Sequence, residues 1–265
     1  VAICFNEFFP PECFPDHCKV LYGPHFFIFP DDKTHPIHAH HYDVERFFFN
    51  TLADWVSVLY RSFAPHLGMS FIPCPFGLDF DTIEQVPSLD KRTNVLVYVK
   101  DRTEQDVAHV INFLKENGES YSIIRYGHYK DHDFKQQLKS AKYVLWAGRH
   151  ESQGFALQET LASNVPILLW DVRSMYEAFT SDNTFYFERY RSTGVPMLAT
   201  AAPCWSDDAC GVRFYDICDL PAKYKDMNAK LSTFNPRPFM ESKLSLTATY
   251  NNLIQNLRLK GASHP

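Results

Sequence analysis

The sequence predicts an α/β protein built from two Rossmann-like units, and three observations carry that expectation. Apolar runs of strand length alternate with segments of helical periodicity along much of the 265 residues. The alternation is most regular from Asn94 to Asp171, a half-Rossmann rhythm. A Pro/Gly-rich stretch, Pro73-Cys-Pro-Phe-Gly-Leu-Asp79, and the polar residues 81–93 after it read as a connection. The predicted organisation is therefore a first unit over 1–90, a second over 91–240, and a terminal helix over 241–265 that returns toward the first.

Taken in order, Val1–Phe5, Val20–Tyr22 and Phe26–Phe29 read as strands, Glu45 to about Phe63 as an amphipathic helix, and Phe71–Ile72 as a short strand. In the second unit Asn94–Lys100 has the pattern of a buried strand. Glu104–Glu116 is a helix ended by the C-cap pair Asn117-Gly118. Tyr121–Tyr126, Tyr143–Trp146 and Ile167–Trp170 follow as strands, with helices at Asp131–Ser140 and Gly154–Ser163 between them. The segment Ser174–Pro221 is less regular. A last helix is expected from about Met240 to Leu257.

Composition narrows the class. Hydrophobic content of 45% suits a globular core, and 15% aromatic residues argue against disorder. A formal charge of −5 gives no electrostatic reason to expect nucleic acid as a partner. Seven scattered Cys suit reduced thiols in a cytoplasmic setting, and no segment approaches the roughly 18 apolar residues of a membrane span.

The segment Glu151-Ser-Gln-Gly-Phe-Ala-Leu-Gln-Glu159 carries the chemistry. Gly154 and Phe155 open a helix, whose free N–H groups and positive dipole end suit a phosphate. Glu159, one turn further on, can accept hydrogen bonds from a ribose cis-diol, and Glu151 in the preceding loop can reach another hydroxyl-rich group. Lys100 and Arg102 stand at a strand end that faces the crevice in such a fold, where they could neutralise a diphosphate. Arg125-Tyr126-Gly127, at the next strand end, is a candidate nucleobase contact. His35-Pro-Ile-His-Ala-His-His41 reads as a surface loop rather than a metal site, and His25 is a candidate general base.

With these residues in view the chain resembles the GT-B glycosyltransferases, in particular family 4-like and exostosin-like members. The resemblance rests on Glu151, Gly154-Phe155, Glu159, Ala162-Ser163 and Pro166, and on Ile72 to Asp79 as the interdomain segment. It is specific between about Phe71 and Asp171. Asn164 stands where the family often has Gly, and the first unit is short. The overall style is similar to small transferases of large algal viruses.

The resemblance implies a UDP-linked sugar donor, with xylose suggested by analogy, and a glycan or glycoprotein acceptor. It implies no metal and no further cofactor. Glu159 would hold the ribose, Gly154 and Phe155 the diphosphate and sugar, Glu151 the sugar hydroxyls, and Lys100 and Arg102 the leaving group. A nucleotide-sugar epimerase or hydrolase and a catalytically silent binding module are the competing expectations.

Overall fold

The computed structural model of the chain describes residues 1–5, 8–24, 36–63, 65–178 and 198–259. It contains two parallel sheets. The first comprises β1 (Ala2–Cys4), β2 (Val20–Tyr22), β3 (Phe47–Thr51) and β4 (Ser70–Pro73), and its spatial order equals its chain order. When every step runs in one direction, right-handed crossovers bring the connections to one face. Val20, Tyr22, Phe47, Phe49 and Phe71 point to that face and pack with Trp55, Val56, Leu59 and Tyr60 of α1 (Asp54–Phe63). The alternate residues Leu21, Phe48 and Ile72 point the other way, where Leu253 and Leu257 of the last helix cover them.

The second sheet comprises β5 (Asn94–Val99), β6 (Tyr121–Arg125), β7 (Ala141–Ala147), β8 (Ile167–Trp170) and β9 (Gly211–Phe214), in the order β6-β5-β7-β8-β9. The helices that follow β5 are α2 (Glu104–Glu116), α3 (Asp131–Ser140), α4 (Phe155–Ala162), α5 (Met175–Ala178), whose Met175 packs in the core of the first sheet, α6 (Leu220–Lys230) and α7 (Pro236–Leu244), and α8 (Leu246–Leu259) closes the described chain. The step from β5 to β6 runs one way and the later steps run the other. As a result α2 packs on one face, through Val107, Val110 and Leu114, and α3 and α4 on the opposite face, through Phe134, Leu138, Leu157 and Leu161. In open α/β sheets ligands bind where the strand order reverses, which here is at the carboxyl ends of β5 and β7.

Several elements differ from the sequence reading. The helix expected over Glu45–Phe63 is a strand followed by a helix. Phe47-Phe-Phe-Asn-Thr51 is buried at every position, and a strand covered on both faces shows no alternation to separate it from a helical apolar run. The single terminal helix is two, because Ser245 takes an extended conformation and its Oγ accepts from Ala248 N at 3.2 Å as an N-cap. β9 lies in the segment read as less regular, and α6 starts at its end and continues through residues given no element. The strand expected at Phe26–Phe29 lies outside the described residues.

Candidate functional site

The crevice is built from the ends of β5 and β7. Past Val99 the chain turns through Asp101, a non-glycine residue at φ 57, so the backbone is held in the left-handed region there. This turn leaves Lys100 directed at the loop after β7. Its Nζ lies 2.8 Å from Glu151 Oε1, with the two side chains only 16% and 12% exposed. The Tyr126 ring, at the end of β6, lies 4.5 Å from the same ammonium. Burial raises the pKa of Glu151 above the usual carboxylate range, and Lys100 opposes that rise.

Glu151 is anchored through its backbone from two sides. Its N–H donates to Thr200 O at 2.9 Å, and its carbonyl accepts from Trp55 Nε1 of α1 at 3.1 Å. Thr200 and Ala201 are held in turn by the buried carboxylate of Asp171, at the carboxyl end of β8. Asp171 accepts from Thr200 Oγ1 at 2.8 Å and Ala201 N at 2.5 Å, and pairs with Arg213 at 3.0 Å.

Gly154 is the residue before α4 and has φ 77. A Cβ there would stand 3.2 Å from both Cβ and Cγ of Glu151, so both conformation and space call for glycine. No side chain caps α4, which leaves its first N–H groups directed away from the helix beside the Lys100–Glu151 pair. Glu159 lies one turn along α4, and its carboxylate makes no hydrogen bond to a described residue. Burial, and then Asp131, raise its pKa, while Lys135 opposes them.

The two acids lie on the same side of the sheet. Tyr98 Oη and Tyr129 Oη are 3.1 Å apart. Burial raises both tyrosine pKa values; Glu151 adds to the rise at Tyr98, and Glu159 to that at Tyr129. Tyr126 acts on both hydroxyls. One pair of phenols thus sits within electrostatic reach of both carboxylates.

The crevice therefore brings together Lys100, Tyr126, Glu151 and Gly154, with Glu159 on the helix that Gly154 opens. Gly127, at φ 77, follows in open space. Phe155 is exposed and stacks on Phe76 at 6.4 Å. Arg102 is directed elsewhere: Nε donates to Gly148 O at 2.9 Å, one terminal nitrogen donates to Trp170 O at 3.0 Å, and the guanidinium lies 3.7 Å from the Trp170 ring centre. Arg125 forms a bidentate pair with Glu104 on the surface, at 2.9 and 2.8 Å. Arg149 donates to the carbonyls of Asp101 and Glu177. His25 and His35 lie outside the described residues. His38 stacks on His66 with ring nitrogens 3.1 Å apart, and His40 meets Glu12 at 3.3 Å.

Sequence reasoning missed Gln153. Its side chain accepts from Phe76 N at 3.0 Å and donates to Phe76 O at 2.8 Å, a reciprocal pair that fastens the segment after β4 to the Glu151 loop. It also missed the Asp171–Thr200–Arg213 group; an acid at a strand's carboxyl end in an α/β fold was the available signal. Asn164, where the resembling family often has Gly, has φ 66, a region asparagine tolerates, and its Oδ1 accepts from Arg237 N at 3.2 Å. No helix among the described residues is long and apolar enough to cross a membrane.

No protein-family model matches the chain, and no curated protein matches it. Solved structures do resemble it. The lipopolysaccharide outer core galactosyltransferase WaaB, in its apo form, is similar with a TM-score of 0.53 at 10% identity, covering 92% of this chain and 68% of that one. The accessory secretory protein 1, 2 and 3 structure from Streptococcus pneumoniae gives 0.53 at 11% identity, covering 97% of this chain and 52% of that one. At this identity the likeness concerns the fold. Two parallel α/β sheets of four and five strands, matched along nearly the whole chain, give this protein the GT-B architecture.

Proposed function

We propose that the chain is a glycosyltransferase that moves a sugar from a nucleotide-sugar, UDP-linked, to a hydroxyl of a glycan-bearing acceptor. The Lys100–Glu151 pair beside the uncapped start of α4, at the point of strand-order reversal, carries the reading. On this reading the α4 N–H groups and Lys100 receive the diphosphate, which gains negative charge as the glycosidic bond breaks. Lys100 exchanges part of its contact with Glu151 for phosphate oxygens, and Glu151 turns to the sugar hydroxyls. Glu159 accepts from the ribose diol, and Tyr126 flanks the base. Arg102 acts at one remove, by fixing the carbonyls of Gly148 and Trp170 that shape the crevice. These roles require no metal.

The test is donor binding. UDP at about 100 times its Kd should add about 2.7 kcal/mol to stability, read as a rise in Tm, while GDP and ADP should add less. Glu159→Ala removes two hydrogen bonds to a charged acceptor, about 3 kcal/mol or more, and should weaken UDP binding by at least about 100-fold. Unchanged affinity in that variant would end the assigned role.

One observation favours a second reading, a nucleotide-binding module without transfer. Lys100 already has a carboxylate partner, and Arg102 and Arg149 are committed to carbonyls. That reading predicts the same Tm rise with neither transfer nor hydrolysis of UDP-sugars.

A further inference from the structure

Two amide side chains beside the candidate site are buried: Gln153 is 2% exposed and Gln158 1%. Burying an amide is unfavourable unless its hydrogen bonds are met, and here each side-chain oxygen and nitrogen has a partner. Beyond its two bonds to Phe76, Gln153 donates from Nε2 to Gln158 Oε1 at 3.1 Å. Gln158 Nε2 donates back to Gln153 O at 2.8 Å. Gln158 belongs to α4, so the loop entering that helix is tied both to the helix and to the segment after β4. An apolar pair of the same size would fill both positions without partners, so packing alone does not call for two glutamines.

Phe76 holds both neighbours of Gly154. Its backbone grips Gln153, and its ring stacks on Phe155 with the two planes 15° apart. Gly154 between them turns the chain into α4 in the left-handed region. Glycine is a permissive joint, so its geometry has to be fixed by what flanks it. A fully satisfied buried network does this, because moving any member orphans a polar atom. At the other end of the loop Trp55 of α1 bonds Glu151 O. Both ties come from elements of the first sheet, whereas Lys100 and α4 belong with the second.

We propose that Gln153, backed by Gln158, is a positioning residue. Through it the segment after β4 sets the loop from Glu151 to Gly154, and so holds the Lys100–Glu151 pair and the α4 N–H groups in register for a diphosphate. This rests on the donor reading above and deepens it, by making part of the first sheet's chain necessary to a site it does not touch. UDP and uridine share base and ribose, so the ratio of their affinities for the full chain reads the diphosphate contacts. Gln153→Met keeps the length of the side chain and removes its three hydrogen bonds. It should lower the UDP-to-uridine affinity ratio by about 10-fold and change uridine affinity by less than about 2-fold. Gln158→Met leaves the bonds to Phe76 in place and should lower the ratio by about 3-fold.

Hydrogen exchange reads the same tie without a ligand. The Glu151 and Gln158 amides donate to Thr200 O and Gly154 O, and that of Val144 in β7 to Pro166 O. In Gln153→Met the first two should exchange about 10-fold faster relative to Val144, which follows global opening. An unchanged affinity ratio in that variant, or UDP and uridine weakened alike, would overturn the proposal and leave the donor reading intact. Should the variant fail to fold, an unchanged ratio in Gln158→Met overturns it instead. Exchange that quickens equally at all three amides also overturns it. Wild-type binding of neither compound removes the donor reading; local quickening at Glu151 and Gln158 then upholds the hold on the loop and removes its part in donor binding.

Discussion

The two sheets solve the same packing problem in opposite ways. The first keeps chain order from edge to edge, so its connections gather on one face and an α-helix from the distant end of the chain closes the other. The second reverses its order between β5 and β7, is covered on both faces by its own helices, and carries the candidate site at the reversal. Charge follows topology. The carboxyl ends at the reversal gather Lys100, Arg102, Arg149 and Glu151, whereas the strands of the first sheet end in the uncharged Cys4, Tyr22, Thr51 and Pro73. The comparison teaches that strand order decides where a fold of this kind can hold a charged ligand.

Breaking the ion pair is the strongest probe of that contrast. Lys100→Ala leaves Glu151 buried without its cation and should destabilise the chain by about 3–5 kcal/mol in urea unfolding at neutral pH. Burial already raises the pKa of Glu151, so the lost cation can be replaced by a proton, and the deficit should shrink as pH falls. A deficit independent of pH would show that packing, not charge, is the loss.

His150, in the same loop, sharpens the point. Burial first, then Lys100 and Arg149, lower its pKa to about 4 from the ordinary 6.5. The unfolded chain then binds the proton more readily than the folded one. Its contribution is complete above pH 6.5 and is lost as pH falls toward 4, by about 3 kcal/mol. His150→Gln should flatten that part of the stability profile, checked by urea midpoints at pH 7.5 and 4.5.

The first sheet should answer to apolar contacts instead. Leu257→Ala uncovers Leu21, Phe48 and Ile72 and should cost about 2–3 kcal/mol with little dependence on pH or salt. The smallest effect belongs to Arg125→Ala. Its pair with Glu104 lies in solvent, so the change should stay below about 1 kcal/mol and vanish in high salt.

The second sheet was the more legible in sequence, for a physical reason. From Asn94 to Ser140 each strand is followed by a helix with an apolar stripe, and turn residues separate them. The first sheet hides its β3 in Phe47-Phe-Phe-Asn-Thr51, where burial on both sides removes any period. In the candidate site the acids and glycine of 151–159 were readable because their spacing fixes them on one loop and one helix. The direction of Arg102 was not, since it depends on where the carbonyls of β7 and β8 end. Gln153 was not either, because its partner Phe76 is distant in sequence and meets it only once both units are folded.

The late cover on the first sheet also governs how the chain must be made. During synthesis Leu21, Phe48 and Ile72 emerge from the ribosome long before Leu253 and Leu257 exist to shield them. Until then the nascent chain carries an oily surface into a crowded cell, where chaperone binding and self-association compete for it.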